Sequence, residues 1–470
     1  MKNKIIVSIL AGSMLMTGAG CKKFLDVNQD PSAAPKVQES LLLSGIEVNT
    51  AFTIAGGYPA RTAAFWTQQM SYNVDGPDWD AYKSTPTDVN NTWAFDLYPA
   101  SLNNLKIMEK QADLSGHTHY AAIAKILLAY NLSVATDFWN AVPCSDGFKG
   151  PDNFRPKYDT QEQVYQTIFT LLNDGVNLAN GPDTSIVKPD TNDRIYHGNM
   201  AKWSMFGNLL KARYALRLCY APGKVAVDQA NIALAAIPNS FADASSNAAF
   251  PFVVKEGGNA PWAQFNDKWG SVAMSSTFVD LLKAKNDPRL PVVANPIGDG
   301  TYVGKANGTA VVPAATLSAL GDFFAAPDQS VNLGTYDELL FIKAEATYLT
   351  SGYAAAQPIL WEAVRATMSR FGLDKNGNNV NAYLTANCTL TAATAYETIM
   401  TEKYVANFLS MESFHDWRRT GFPKLKIVNG PYLNITSIAR RFLYPDSELQ
   451  TNARPEQSAK LTDRVWWDTK

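Results

Sequence analysis

The sequence has little cysteine and little histidine, with four residues of each among 470. Cys144, Cys219 and Cys388 are widely spaced and form no C-x-x-C pair, which argues against a disulfide scaffold or a zinc cluster. The pair His117 and His119 stands in a polar turn before a helical pattern, which favours exposed side chains over metal ligands. We therefore expect no metal site and no cofactor.

An excess of charge of one sign is also missing. The 41 basic and 43 acidic side chains give a net charge of −2, and the absence of a basic block argues against a nucleic-acid-binding protein. Beyond the first twenty residues no apolar run reaches the roughly 18 residues that a membrane span needs. Because 46% of the residues are apolar, the chain can still bury a large core.

Motifs of common enzymes are absent as well. The sequence contains no G-x-S-x-G, H-E-x-x-H, G-x-x-x-x-G-K-[ST] or G-x-G-x-x-G, and these patterns mark hydrolase, metalloprotease and nucleotide sites. The chain is therefore not expected to be an enzyme. One alternative stays open, an all-helical glycan-degrading hydrolase or lyase, because a pair of catalytic carboxylates needs no fixed spacing.

The amino terminus has the pattern of an export signal. Lys2 and Lys4 precede an uncharged run over residues 5–20, as in secretory signal peptides. The small residues 18–20 lead into Cys21, which resembles a bacterial lipobox, where the cysteine is acylated and becomes the mature amino terminus. We expect a lipoprotein signal peptide over residues 1–20, lipidation at Cys21 and attachment to a membrane through the lipid.

The mature chain is dominated by helical patterns. Apolar residues recur with i, i+3, i+4, i+7 spacing, and Thr160 with Gln163 forms a capping box before one of these patterns. Small residues at the predicted contacts suit tightly stacked hairpins. The predicted fold is all-α, a tetratricopeptide-like scaffold of helical hairpins with long irregular loop insertions. The helical patterns cover residues 123–138, 164–179, 203–214, 339–349, 360–371 and 400–411.

Long irregular segments interrupt the scaffold at residues 72–98 and 238–333, and such segments in a compact domain are usually functional. We predict one domain after the signal peptide. The domain spans residues 21–470. Within it we expect the helical scaffold mainly at 36–237 and 334–413, a loop-rich insertion at 238–333 and a carboxy-terminal loop region at 414–470.

Several short motifs occur in a characteristic order along the mature chain. With the lipobox, they resemble the SusD/RagB family of surface glycan-binding lipoproteins, and the likeness spans nearly all of the mature chain. The motifs are Lys22–Asn28, Asp137–Pro143, Asn286–Leu290, Glu338–Ala346, Asp416–Pro423 and Arg440–Pro445, the last with Glu448 and Asn452.

This resemblance implies a lipoprotein of the outer membrane that faces the cell exterior. It implies a partner, a SusC-like TonB-dependent transporter, on which the lipoprotein acts as a lid that captures an oligosaccharide or a peptide and delivers it for import. No covalent chemistry is implied. Arg418 and Arg419 are expected to cap a helix end and pair with buried acids, and Glu345 is expected to be a paired structural carboxylate.

Ligand-binding residues are expected where aromatic side chains stand among polar residues in the irregular segments. A flat ring matches the C–H face of a sugar, and nearby amides and carboxylates match its hydroxyls. Segments 72–82 and 259–269 fit this description. It stays open whether the tryptophans instead cover the scaffold, and whether the chain is a purely structural lid. The predicted ligand-binding residues are Asn73, Asp75, Trp79, Tyr82, Trp262, Asn266 and Trp269.

Overall fold

The structure is a computed structural model, and it describes residues 37–269 and 271–470. Cys21 and the predicted signal peptide lie outside the described residues. The described chain consists of helices joined by loops, with two small antiparallel sheets of two strands each. The prediction of an all-α, tetratricopeptide-like fold is confirmed.

The first part of the chain contains helices α1 to α7. Thr160 begins α5 as predicted, because its hydroxyl accepts a hydrogen bond from the Gln163 amide (3.3 Å) while its own amide donates to Gln163 Oε1 (2.9 Å). Two π-helical segments, Thr50–Ala55 and Thr92–Asn103, follow α1 and precede α3. The helices are α1 (Glu39–Asn49), α2 (Tyr58–Trp66), α3 (Asn104–Ser115), α4 (Thr118–Trp139), α5 (Gln161–Asn180), α6 (Met200–Arg217) and α7 (Ala226–Ala236).

Helices α3 to α7 pack as a stack in which each helix contacts the next. Two glycines permit close approach inside this stack. A Cβ atom at Gly175 would lie 2.8 Å from Ile126 Cγ1, and one at Gly207 would lie 2.5 Å from Val176 Cγ2. Because these distances are shorter than any normal contact, α4, α5 and α6 can pack this tightly only with glycine at both positions.

The middle of the chain, predicted to be loop-rich over residues 238–333, also contains short helices. Pro261 stands at the first position of α8, where proline favours helix formation, and Ser275 caps α9 by accepting from the Thr277 amide (3.2 Å). Nine residues are too few to reveal a helical period in the sequence. The helices are α8 (Pro261–Trp269), α9 (Ser276–Ala284), α10 (Leu290–Val293) and α11 (Asp322–Ala325).

Four short strands form two pairs in and around this region. Strand β1 pairs with β3, and β2 pairs with β4, both antiparallel. The first pair joins two chain segments that lie about 200 residues apart in the sequence. The strands are β1 (Met70–Tyr72), β2 (Ala248–Phe250), β3 (Val272–Met274) and β4 (Val331–Gly334).

The last part of the chain returns to the helical scaffold. Helix α12 packs against α7, α13 and α15 and so extends the first stack. Helix α16 packs against α2, and it reaches into the segment predicted as a carboxy-terminal loop region. The helices are α12 (Tyr336–Ser351), α13 (Tyr353–Arg370), α14 (Asn378–Asn387), α15 (Ala395–Ala406), α16 (Met411–Thr420) and α17 (Asp446–Thr451).

Helix α4 is long and apolar enough to cross a membrane by length and composition, which the sequence analysis did not predict. However, 94% of its most apolar stretch is buried within the protein. Its hydrophobic character is explained by packing on both sides in the stack, since a helix that is apolar all round is typical of a core.

A buried ion-pair network joins α12, α15 and α16. Arg419 donates to Glu345 Oε2 (2.9 Å) and to Asp416 Oδ1 (2.6 Å), and Lys403 lies 2.9 Å from Asp416. Arg418 donates to the carbonyls of Asp137 and Arg440, both at 2.7 Å. The predicted pairing of Arg419 with buried acids and the structural role of Glu345 are thus confirmed. Arg418 instead bonds backbone carbonyls, one of them in the last turn of α4.

A second buried network surrounds Glu402 on α15. Its carboxylate lies 2.8 Å from Lys285 Nζ and accepts hydrogen bonds from Arg289 and from the hydroxyl of Tyr383 (2.7 Å). Burial raises the pKa of Glu402, but the charges of Lys285 and Arg289 outweigh it and lower the pKa to about 2. The carboxylate is therefore ionised at neutral pH and holds α15 to the loop after α9.

The carboxylate of Asp80, which is only 2% exposed, joins strand β1 and the segment after it to the loop around residue 308. Asp80 Oδ2 accepts from Ser71 Oγ (2.8 Å), from the Tyr72 amide (3.1 Å) and from the Gly308 amide (3.2 Å). Asn307, beside Gly308, donates to the carbonyl of Met70 (2.9 Å). The segment after β1 and the loop around residue 308 are thereby fixed to one another.

We predict that Glu402→Gln lowers the free energy of unfolding at pH 7 by about 3 kcal/mol, since a pKa change of one unit corresponds to about 1.4 kcal/mol. The folded-state pKa lies below the unfolded value of about 4.3, so the ionised group stabilises the protein above that pH. This stabilisation disappears as the pH falls towards 2. Urea unfolding at several pH values measures the difference, which should shrink below pH 4. The exposed Glu256→Gln is the matched control, and a difference constant from pH 7 to 2.5 would contradict the prediction.

We also predict that Asp80→Ala destabilises the protein by about 2–3 kcal/mol, because it leaves buried donors without an acceptor. Hydrogen exchange at the Gly308 amide should accelerate, and urea unfolding measures the loss of stability. Asp75→Ala, an exposed aspartate in the same segment, should change stability by less than about 0.5 kcal/mol. Unchanged exchange and stability in Asp80→Ala would refute the role given to this carboxylate.

Candidate functional site

The two sequence segments predicted to bind ligand lie side by side in the structure. Strand β1 pairs with β3 in the register Met70 to Met274, and the Asn73 amide donates to the carbonyl of Ser271 (2.6 Å). The chain segment that leads to Trp79 is thus placed against the segment that follows α8. Residues that are almost 200 positions apart can therefore contribute to one site.

Trp79 lies where the two segments meet, in a cluster of aromatic rings. Its ring is nearly parallel to those of Tyr72 (centroids 5.8 Å apart, 24°) and Phe265 (5.6 Å, 20°), and Tyr58 contacts it edge-on (5.4 Å, 85°). The indole is half-buried. Trp79 therefore joins the two segments and keeps only part of its surface for a ligand.

Two predicted ligand residues support the loop instead of facing solvent. Asn73 is buried, and its side-chain amide pairs with the backbone of Val312 through two hydrogen bonds (2.7 and 3.0 Å). Tyr82 has no exposed surface, its hydroxyl accepts from the Val428 amide (3.3 Å), and burial raises its pKa to about 12. Because Tyr82 is fully enclosed, the expectation that it contacts a ligand does not fit this structure.

The other polar candidates belong to the same two segments. Asp75 is exposed, and Asn266 on α8 is half-buried beside Phe265. Both can offer hydrogen bonds to a bound molecule. The side chain of Trp269, at the end of α8, lies outside the described part of the structure.

Trp262, at the start of α8, lines a narrow cleft with a volume of about 90 Å³. The indole is 6% exposed. Phe324 and Phe408 line the same cleft, with half-buried Gln329 and Ser330 from the loop before β4. The cleft combines aromatic rings with polar groups, the combination that small-molecule sites use.

The charges that line this cleft are paired. Arg213 donates to both oxygens of Glu338, each at 2.6 Å, and to the carbonyl of Leu333 (2.8 Å). Burial lowers the pKa of Arg213, but Glu338 and Glu412 outweigh it and raise that pKa. Since a paired charge attracts a further ion only weakly, the cleft favours an uncharged ligand.

One polar group of the lining has no partner within the described chain. Asn407, at the end of α15, is 7% exposed, and its Nδ2 makes no hydrogen bond there. An unpaired buried donor is unfavourable. Because Asn407 lines the cleft, this donor is a candidate for a hydrogen bond to a ligand.

Sequence reasoning missed most of the cleft. Arg213 belongs to a helical pattern that predicts scaffold, and Phe324, Phe408 and Asn407 come from separate later segments. Their individual patterns predict only core or loop. Among these residues only Arg213 carries a sequence signal of a buried site, because an arginine on a helix face that is otherwise apolar needs a buried partner.

In the described residues, no three His, Cys, Asp or Glu side chains are grouped as ligands of a metal ion.

Comparison with known proteins agrees with this architecture. Residues 31–445 match the SusD-like family model, described as starch-binding and associating with the outer membrane. A SusD/RagB family protein from Bacteroides thetaiotaomicron is 23% identical with a TM-score of 0.76, over 92% of this chain and 99% of that chain. A chitin-binding SusD homologue from Flavobacterium johnsoniae is 20% identical with a TM-score of 0.75, over 92% and 98%. No curated protein matches the chain in sequence.

At these identities the solved structures establish the fold, whereas the family match spans most of the sequence and establishes the family. The resemblance inferred from the ordered motifs is thereby confirmed. The chain belongs to the SusD-like family of carbohydrate-binding proteins of the outer membrane.

Proposed function

We propose that this protein is a lipid-anchored component of a nutrient-uptake system that faces the cell exterior and binds an oligosaccharide, or a peptide, without cleaving it. As a lid on a SusC-like TonB-dependent transporter, it delivers the bound nutrient for import. The observation that carries this proposal is the meeting of segments 72–82 and 259–269 beside an aromatic cleft whose charges are paired.

A neutral sugar suits this cleft for chemical reasons. The ring faces of Trp262, Phe324 and Phe408 can contact C–H groups, the unpartnered Asn407 amide can donate to a sugar oxygen, and the paired Arg213 and Glu338 add no net charge. Two solved relatives are described as chitin-binding, so an acetamido sugar belongs among the first ligands to test.

Entry of a sugar ring requires the cleft to widen, because Trp262 is almost enclosed. Gln329 and Ser330 are half-buried loop residues of the lining, and they are less tightly packed than Trp262. A site that opens in this way holds its ligand only moderately, since ordering the loop opposes binding. Moderate affinity agrees with delivery to a transporter.

The alternative function, cleavage of a glycan by an all-helical hydrolase or lyase, receives less support from the cleft. A glycosidase generally needs two carboxyl groups on opposite sides of the scissile bond. Among the described residues that line the cleft, Glu338 is the single carboxylate, and both of its oxygens accept hydrogen bonds from Arg213. The arrangement favours binding without cleavage.

The binding proposal is tested with the full chain, purified in a mild detergent and run on native gels that contain soluble starch, glycol chitin or xylan. We predict retardation by at least one polysaccharide and no release of reducing ends. Trp262→Ala should weaken binding at least about tenfold, or about 1.4 kcal/mol. Trp361→Ala, a half-buried tryptophan of α13 outside the cleft, should bind as the wild type does.

Steady release of reducing ends would instead establish the enzyme, and a wild type that no polysaccharide retards would contradict oligosaccharide binding. If the chain is instead a purely structural lid and its partner makes all ligand contacts, cells that carry both Trp79→Ala and Trp262→Ala should still take up the nutrient.

The lipid anchor is tested at Cys21. We predict that Cys21→Ala leaves the protein without acyl chains and removes it from the membrane fraction, because the lipid supplies the membrane affinity. Mass spectrometry and fractionation measure both effects. Cys144→Ala, which changes a half-buried thiol, should leave acylation and fractionation unchanged. Retention of Cys21→Ala by membranes that lack the transporter would count against the anchor.

A further inference from the structure

Two consecutive tryptophans near the carboxy terminus occupy opposite environments. Trp467 is fully buried, and its indole donates to Asp137 Oδ1 (2.7 Å). Trp466 is half-buried, and its backbone amide donates to Asn140 Oδ1 (2.9 Å). Because Val465 and Trp467 anchor the backbone on either side, the position from which the Trp466 side chain extends is fixed.

Trp466 lines a second cleft, separate from the one at Trp262, with a volume of about 210 Å³. This cleft lies on the helical stack, between α5 and α7. Half-buried Phe169 supplies a second ring, and Gln166 and Gln229 supply side-chain amides. Within the described chain, neither amide makes a hydrogen bond to another side chain or to the backbone.

The charges at this cleft are opposite in sign. Glu162 and Lys224 are both exposed on its lining, so they give it no net charge. Two aromatic rings offer C–H contacts, and two free amides offer donors and acceptors in equal number. A ligand that presents apolar ring faces and many hydroxyl groups without charge satisfies all of these features together.

We propose that this cleft is a second carbohydrate-binding site, which takes a neutral saccharide against Trp466 and Phe169. The inference shares a ligand class with the proposed function but none of its residues, so either site can fail alone. Two sites on one chain bind a polymer more tightly than a short oligosaccharide, because the second contact becomes intramolecular.

The test uses the full chain in mild detergent on native gels that contain soluble starch, glycol chitin or xylan. We expect Trp466→Ala to lower the apparent affinity for the retarding polysaccharide by at least about tenfold, with an unchanged melting temperature. Trp466→Phe, which keeps a ring, should retain part of the affinity. Phe154→Ala, an aromatic residue that is 78% exposed and lies outside the cleft, should bind as the wild type does.

A second variant distinguishes loss of binding from loss of folding. Gln166→Ala with Gln229→Ala removes only the free amides and should weaken retardation without changing the melting temperature. If neither this variant nor Trp466→Ala differs from the wild type while Trp262→Ala does, the second site is refuted and the proposed function stands. If only Trp262→Ala is without effect, the second site stands and the first is refuted. A wild type that no polysaccharide retards overturns both, as does retardation that all these variants retain.

Discussion

The carboxylate of Asp80 is the point at which the irregular part of this protein is held together. It accepts hydrogen bonds from the strand before Trp79 and from the loop around Gly308, and Asn73 fixes the same loop at Val312. A surface loop gains precise position only if its backbone groups find partners. Asp80 provides such partners, so the position of the segment that carries Trp79 depends on a buried carboxylate.

The helical stack beneath the loops is fixed by buried ion pairs as well as by apolar packing. Arg419 with Glu345 joins two helices that are distant in the sequence, and Arg289 with Glu402 joins α15 to the loop after α9. Such pairs contribute little net stability compared with apolar residues of similar shape, but removal of one member is strongly destabilising. They therefore restrict how the helices can be arranged, and a fixed arrangement suits a scaffold that presents binding loops.

Much of the fold could be predicted from the sequence, because long helices carry a strong period and Thr160 with Gln163 marks a helix start. The short helix at Pro261 could not, since nine residues reveal no period. For the site, aromatic residues among polar neighbours identified segments 72–82 and 259–269, which do lie side by side. The same pattern could not show that Tyr82 is enclosed. The cleft beside Trp262 could not be predicted from the sequence, because residues such as Asn407 come close to Trp262 only after folding.

The most direct measurement of the central claim is a crystal structure of the protein with an oligosaccharide that binds it in solution. The account predicts a sugar ring in the cleft beside Trp262, within hydrogen-bonding distance of Asn407, and an intact glycosidic bond. A sugar found only outside that cleft, or a cleaved ligand, would contradict the account.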